Sequence, residues 1–217
     1  MDGSINPSEN VTAEFITSAT SPEGFPREAL PELAFAGRSN VGKSSLINAL
    51  VKKKIARTSA APGKTRLANF YRVTPDGPPP FYLVDLPGYG YARGGEASKR
   101  EFEAITGSYF AAHAGGRLKG VLLLVDSRHP GLAPDGHAWS WLSQVDVARV
   151  VIATKVDKLT RSERVRHLKE LEQLHDGPVL AASAQTGEGL KELWKMIDTL
   201  LRPRPLETPP PPPPNSR

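Results

Sequence analysis

"LAFAGRSNVGKSS", residues 33–45, joins an uncharged run to a glycine-framed loop and then to a helical pattern. "LAFAG" (33–37) is apolar throughout, as a strand covered on both faces is. The loop "GRSNVGKSS" (37–45) fits the spacing G-x-x-x-x-G-K-[ST] of a phosphate-binding loop and opens the helical pattern of 43–52. Gly37 and Gly42 let the backbone curl, so that N–H groups surround phosphate oxygens, and the helix N-terminus adds its positive dipole end. Lys43 is expected to reach the β- and γ-phosphates as a catalytic group, and the Ser44 hydroxyl to ligate Mg²⁺. Gly37, Arg38, Ser39, Asn40, Val41, Gly42, Lys43, Ser44 and Ser45 are therefore the expected phosphate-binding residues.

Outward from this loop, apolar runs alternate with helical patterns. Strands are expected at 33–37, 68–73, 80–86, 120–126, 148–154 and 178–183, and helices at 43–52, 96–113, 134–146, 160–175 and 187–201. "TPDGPPP" (74–80) carries turn residues and predicts a hairpin between the second and third runs. This order predicts an α/β fold: one doubly wound, six-stranded, mostly parallel sheet with one antiparallel edge strand and helices on both faces. The domain is expected over 15–202, between a flexible N-terminal segment (1–14) and a proline-rich, solvated tail (203–217).

Four further motifs follow in a constrained order. "TSAAPGKTR" (58–66) lies after the first helix. There Thr65 is the expected second Mg²⁺ ligand and a catalytic switch residue, with Thr58 as the alternative, and Gly63, Lys64, Arg66 and Leu67 flank it. "DLPG" (85–88) ends the third run. Asp85 is placed to hold Mg²⁺ through water and the Gly88 N–H to meet the γ-phosphate, with Leu86 and Pro87 between them. "TKVD" (154–157) resembles the guanine box Asn-Lys-x-Asp with Thr154 in place of Asn, and comprises Thr154, Lys155, Val156 and Asp157. Asp157 can accept from guanine N1–H and the 2-amino group, two donors that adenine lacks, so an ATP-bound state would leave the carboxylate unpaired. This argues against an ATPase or metabolic kinase. "ASAQTGEG" (182–189) supplies Ala182, Ser183 and Ala184 as the loop over the base. With the phosphate loop first and the Ser183 loop last, the five motifs follow the order of a P-loop GTPase domain and bound about 150 residues.

Composition sets outer limits. The chain has 217 residues, 39% hydrophobic and 24% charged, enough for one domain with a substantial core. It has no cysteine, which excludes disulfides and thiolate metal sites, and its histidines lack paired ligand spacing. The start "MDGSINPSEN" has neither the basic nor the apolar part of a signal peptide, and no apolar run approaches the roughly 20 residues of a membrane span. A cytoplasmic monomer without membrane or DNA partners is expected. A net charge of +5 is compatible with an RNA partner. Lys52, Lys53, Lys54, Arg57, Lys99, Arg100, Arg117 and Lys119 are the candidate contacts, or simply a solvated basic face.

"PELAFAGRSNVGKSSLINALV", "ARTSAAPGKTRLANFY", "FYLVDLPGYGYA", "LLLVDSRHPGLAPDGHAWSWL" and "TKVDKL" resemble the bacterial ribosome biogenesis GTP-binding proteins of the EngB, YihA or YsxC family. The resemblance covers about residues 15–200. It implies a cytoplasmic GTPase that binds GTP or GDP with Mg²⁺, acts on the large ribosomal subunit precursor and its rRNA, and is needed for normal division-septum formation. The alternative is a GTP/GDP-binding regulatory module acting directly on cell-division proteins. "VDSRHP" (125–130) belongs to the matching strings but suggests no chemistry by itself.

Tyr89 stands where many GTPases carry the glutamine that orients the attacking water. Three substitutes are open: a partner that stimulates slow intrinsic hydrolysis, K⁺ recruited by Asn40, or Lys64 or Arg66 acting in cis. The first is favoured, with the second as a supplement.

Overall fold

A computed structural model describes residues 11–57, 67–76, 78–89, 103, 106–113, 116–177 and 179–202. Its strands are β1 (Val11–Ala19), β2 (Glu32–Gly37), β3 (Ala68–Pro75), β4 (Phe81–Asp85), β5 (Leu118–Asp126), β6 (Ala148–Thr154) and β7 (Val179–Ala181). The helices are α1 (Lys43–Leu50), α2 (106–113), α3 (Ala133–Leu142), α4 (Arg161–Leu174) and α5 (Leu190–Leu201).

The strands form one sheet in the order β1-β3-β4-β2-β5-β6-β7. β2 pairs in parallel with β4 and β5, and β6 with β5 and β7, while β3 runs antiparallel to both β1 and β4. The sheet thus has seven strands among the described residues instead of six. The antiparallel strand β3 is interior, because β1 covers it and takes the edge.

Residues 11–14, expected in the flexible segment, are the first part of β1. Its register shifts between Phe15 and Thr17, opposite Tyr71 and Phe70, so a bulge breaks the two-residue alternation that marks a strand. Phe15 and Ile16 are exposed beside it. Residues 1–10 and 203–217, the rest of the N-terminal segment and the tail, lie outside the described residues.

Alternation along the buried strands sorts the core onto two faces. Leu33 and Phe35 of β2 pack with Ile47 of α1 and Trp194 and Ile197 of α5, whereas Ala34 and Ala36 face Phe70, Tyr109, Trp139 and Leu171. Trp194 Nε1 also donates to the Leu50 carbonyl (3.3 Å), satisfying one of the free acceptors at the end of α1. The start of α4 is legible locally. Thr160 and Glu163 form a reciprocal capping box that uses two backbone N–H groups the helix cannot satisfy itself.

Candidate nucleotide site

Parallel strands deliver their carboxyl ends to one edge, where ligands bind in open α/β sheets. Here that edge collects Gly37 from β2, Asp85 from β4, Asp126 from β5, Thr154 from β6 and the 182–184 loop after β7.

At the phosphate end, Gly42 has φ 110, a left-handed value that lets the loop turn directly into α1. Lys43 is buried, and its Nζ donates to the Gly37 carbonyl (3.0 Å). Ser44 Oγ donates to Asp85 Oδ2 (3.2 Å). Asp85 is 2% exposed, and its other oxygen, Oδ1, has no hydrogen-bond partner among the described residues. Burial pushes the Asp85 carboxyl above its usual range, with Lys43 and Ser44 pulling the other way, and burial pushes the Lys43 ammonium down. A hydroxyl beside a buried carboxylate with an unused oxygen is a donor set that suits a hard divalent cation such as Mg²⁺.

Gly88 approaches the phosphate loop so closely that a Cβ there would lie 2.8 Å from Ser39 Oγ and 2.9 Å from Ser39 N. The Ser39 N–H donates to the Tyr89 carbonyl (3.0 Å), and Ser39 Oγ lies 3.4 Å from the Gly88 carbonyl it can donate to. Leu86 and Pro87 are buried, and the Leu86 N–H donates to the Phe35 carbonyl. Ser45 is exposed on the first turn of α1. Gly63, Lys64, Thr65 and Arg66, with Thr58, lie outside the described residues; Leu67, the first described residue after them, is exposed.

At the base end, Thr154 is buried, and its hydroxyl lies 2.8 Å from the Val41 carbonyl and 3.1 Å from that of Val125. One hydroxyl proton serves one acceptor at a time, whereas the amide of the usual asparagine carries two donors. Thr154 therefore keeps the tether between the guanine box and the phosphate loop with one proton instead of two. Lys155, with φ 61, extends Nζ to the Asn40 carbonyl (2.7 Å) and to Asp126 Oδ2 (2.9 Å). Asn40 is itself left-handed, with φ 63. Val156 and Ala182 are buried, and Ala184 packs partly buried against the core. Ser183 Oγ donates to Asp157 Oδ1 (2.6 Å) and accepts from the Gln185 and Thr186 N–H groups. That bond, with Lys158 at 3.4 Å from Asp157 Oδ2, holds the Asp157 carboxyl below its usual range. Asp157 and the loop around Ser183 are thus one hydrogen-bonded unit.

Two residues in this edge were not assigned from the sequence. Asp126, in the unexplained "VDSRHP", accepts from Arg128 Nε (2.9 Å), an Arg128 terminal nitrogen (2.8 Å), the Arg128 backbone N–H (3.1 Å) and Lys155. Burial alone would raise its carboxyl, but these donors outweigh burial and hold it well below the carboxylate range. Asp135, in the first turn of α3, accepts from the Tyr89 hydroxyl (2.9 Å) and from Arg38 Nε (3.0 Å). The cue for Asp126 was an aspartate closing an apolar strand; for Asp135 there was none, since its partners lie 46 and 97 residues away. No helix among the described residues is long and apolar enough to cross a membrane.

Residues 32–155 match the family described as 50S ribosome-binding GTPase. The chain is 43% identical over 196 residues to the probable GTP-binding protein EngB of Desulforamulus reducens, covering 88% of this chain and 93% of that one. Among solved structures, a probable GTP-binding protein EngB aligns with TM-score 0.57 at 25% identity over 80% of this chain and 99% of its own. Aquifex aeolicus Era bound to GDP and aluminium fluoride shares the fold, with TM-score 0.68 at 21% identity over 81% of this chain and 58% of its own.

Proposed function

The chain belongs to the EngB family of GTP-binding proteins, which are GTPases, and on that premise we propose that it is a slow GTP-driven switch in assembly of the large ribosomal subunit. The observation that carries this reading is the gathering of a phosphate loop, a DxxG turn and a guanine box on one strand-end edge. Asp157 and the Ser183 loop would choose guanine, and Lys155 would brace the base against the phosphate loop. Ser44, Thr65 and, through water, Asp85 would hold Mg²⁺, which would supply positive charge to offset the negative charge of the phosphates. Lys43 would offset the negative charge that shifts toward the leaving phosphate as water attacks the γ-phosphorus in line and its bond to the bridging oxygen breaks. The Gly88 N–H would read the γ-phosphate.

Hydrolysis by the isolated chain would be slow. The Tyr89 side chain is buried against Asp135, so it does not stand in for a water-orienting amide. A partner would set the timing, with K⁺ near Asn40 as a supplement. The ribosome-facing surface would include Lys52, Lys53, Lys54 and Arg57. They are exposed on a turn held by Asn48, whose Oδ1 accepts from the Ile55 and Ala56 N–H groups. These cations would meet rRNA phosphates, and septation defects would follow from failed subunit assembly in the cytoplasm.

Sedimentation of cell extracts tests the switch. The full chain should travel with precursors of the large subunit when loaded with a non-hydrolysable GTP analogue, leave them with GDP, and dissociate as salt rises. Absence from those particles in every nucleotide state overturns the reading. Hydrolysis in sodium against potassium buffer, with and without purified large subunits, separates the ion from the partner.

A further inference from the structure

Arg38, Tyr89 and Asp135 come from three separate parts of the site: the phosphate loop, the DxxG turn and the first turn of α3. Their side chains meet in the interior, with Asp135 1% exposed and Tyr89 7% exposed. Asp135 Oδ1 accepts a hydrogen bond from the Tyr89 hydroxyl (2.9 Å), and both its oxygens lie within 3.1 Å of Arg38 Nε. The backbone closes the same junction from the other side, because Arg38 and Tyr89 form a parallel bridge and the Ser39 N–H donates to the Tyr89 carbonyl. Burial pushes the Asp135 carboxyl above its usual range, and the Arg38 guanidinium and the Tyr89 hydroxyl pull it the other way, so the carboxylate depends on these two partners.

We propose that Asp135 is a positioning residue that pins the DxxG turn to the phosphate loop through Tyr89 and Arg38, and so sets the preference for GTP over GDP. The reasoning is one of preorganisation. Gly88 precedes Tyr89 and packs closely on Ser39, so what holds Tyr89 in place also restricts the movement of the Gly88 backbone. Only GTP carries a phosphate that reaches that N–H, so a loosened turn reduces affinity for GTP and leaves GDP unaffected. The inference rests on the reading that Gly88 meets the γ-phosphate. It also gives Tyr89 a role other than that of the missing glutamine: its hydroxyl faces Asp135 and holds the sensor in place.

The test is equilibrium binding of GDP and of a non-hydrolysable GTP analogue to the full chain carrying Tyr89→Phe, Asp135→Asn or Gly88→Ala. Tyr89→Phe removes one hydrogen bond to a charged acceptor and should weaken the analogue about tenfold while GDP stays within about twofold. Asp135→Asn keeps an acceptor for the hydroxyl but loses the charge facing Arg38, and should weaken the analogue selectively in the same direction. GDP affinity serves as the control for folding in each variant. If Gly88→Ala lowers the analogue-to-GDP ratio and Tyr89→Phe does not, the latch is wrong and the γ-phosphate reading stands. A ratio unchanged in Gly88→Ala overturns that reading and the latch with it. Equal weakening of both nucleotides in Tyr89→Phe also overturns the latch, since a general packing defect does not distinguish them.

Discussion

Two aspartates end the strands on either side of β2, and their surroundings are opposite. Asp126 ends β5 with Arg128 and Lys155 both donating to it, and is held well below the carboxylate range. Asp85 ends β4 with Ser44 as its hydrogen-bond donor and one oxygen unused among the described residues, and burial pushes it up. The first is satisfied by the protein's own cations; the second has spare acceptor capacity beside Ser44 of the phosphate loop. A carboxylate that the fold has already paired positions its neighbours, whereas one buried with unused capacity suits an incoming cation. On the proposed function, the base end would be prebuilt and the phosphate end would be completed by what binds there.

The largest expected effect comes from breaking the incomplete side. Asp85→Asn should lower GTP hydrolysis about a hundredfold or more at saturating magnesium. Thermal melting of the nucleotide-free protein should shift little, because the side chain it replaces is costly to ionise in that setting. A large loss of stability without nucleotide would place Asp85 with Asp126, as a structural carboxylate.

Breaking the prebuilt side should look different. Asp126→Asn leaves Arg128 and Lys155 facing each other and loosens the brace on the Asn40 carbonyl. GDP and GTP should weaken together, each about tenfold, with a loss of about 2 kcal/mol in unfolding free energy. Calorimetric titration and denaturant melts check this, and a GTP-selective loss would contradict it. The low Asp126 pKa also has a sign. The folded state favours the ionised form, so this stabilisation is full above the unfolded carboxyl pKa near about 3.9 and is lost as pH falls through the folded value.

The last effect, confined to stability, sharpens the comparison with a third carboxylate, at the opposite edge. Glu32 opens β2, is fully buried, accepts from the Tyr109 hydroxyl (2.7 Å) and faces His113 Nδ1 (3.3 Å). Burial raises its pKa to about 7 against the opposing pull of Tyr109 and Arg117. The folded state then holds a proton that the unfolded state releases near about 4.3, so stability falls as pH rises between those values. Glu32→Gln has no such proton to lose. Relative to the natural chain it should gain about 1–3 kcal/mol between pH 5 and pH 8. A difference that stays flat across that range would show that Glu32 is ionised throughout.

Much of the fold was legible because the interior strands are uniformly apolar and punctuated by turn residues. β2, β5 and β6 were found nearly to the residue by that rule, and "TPDGPPP" marked the β3–β4 hairpin. β1 escaped because it is an edge strand with one solvated face and a bulge that breaks its alternation. That omission also misplaced β3, which is an edge strand only if nothing pairs beyond it.

What the sequence determined by itself is the local chemistry: a phosphate loop, a carboxylate–glycine turn, a guanine box and their order, since each is written in a short run of residues. What only the tertiary structure decided is which polar groups meet across those runs. Lys155 and Asp126 stand 29 residues apart, and Tyr89 and Asp135 stand 46 apart. No period or spacing encodes such pairings, because they follow from which strand ends the sheet places side by side. Burial then makes each unpaired charge costly enough that the partners must be found.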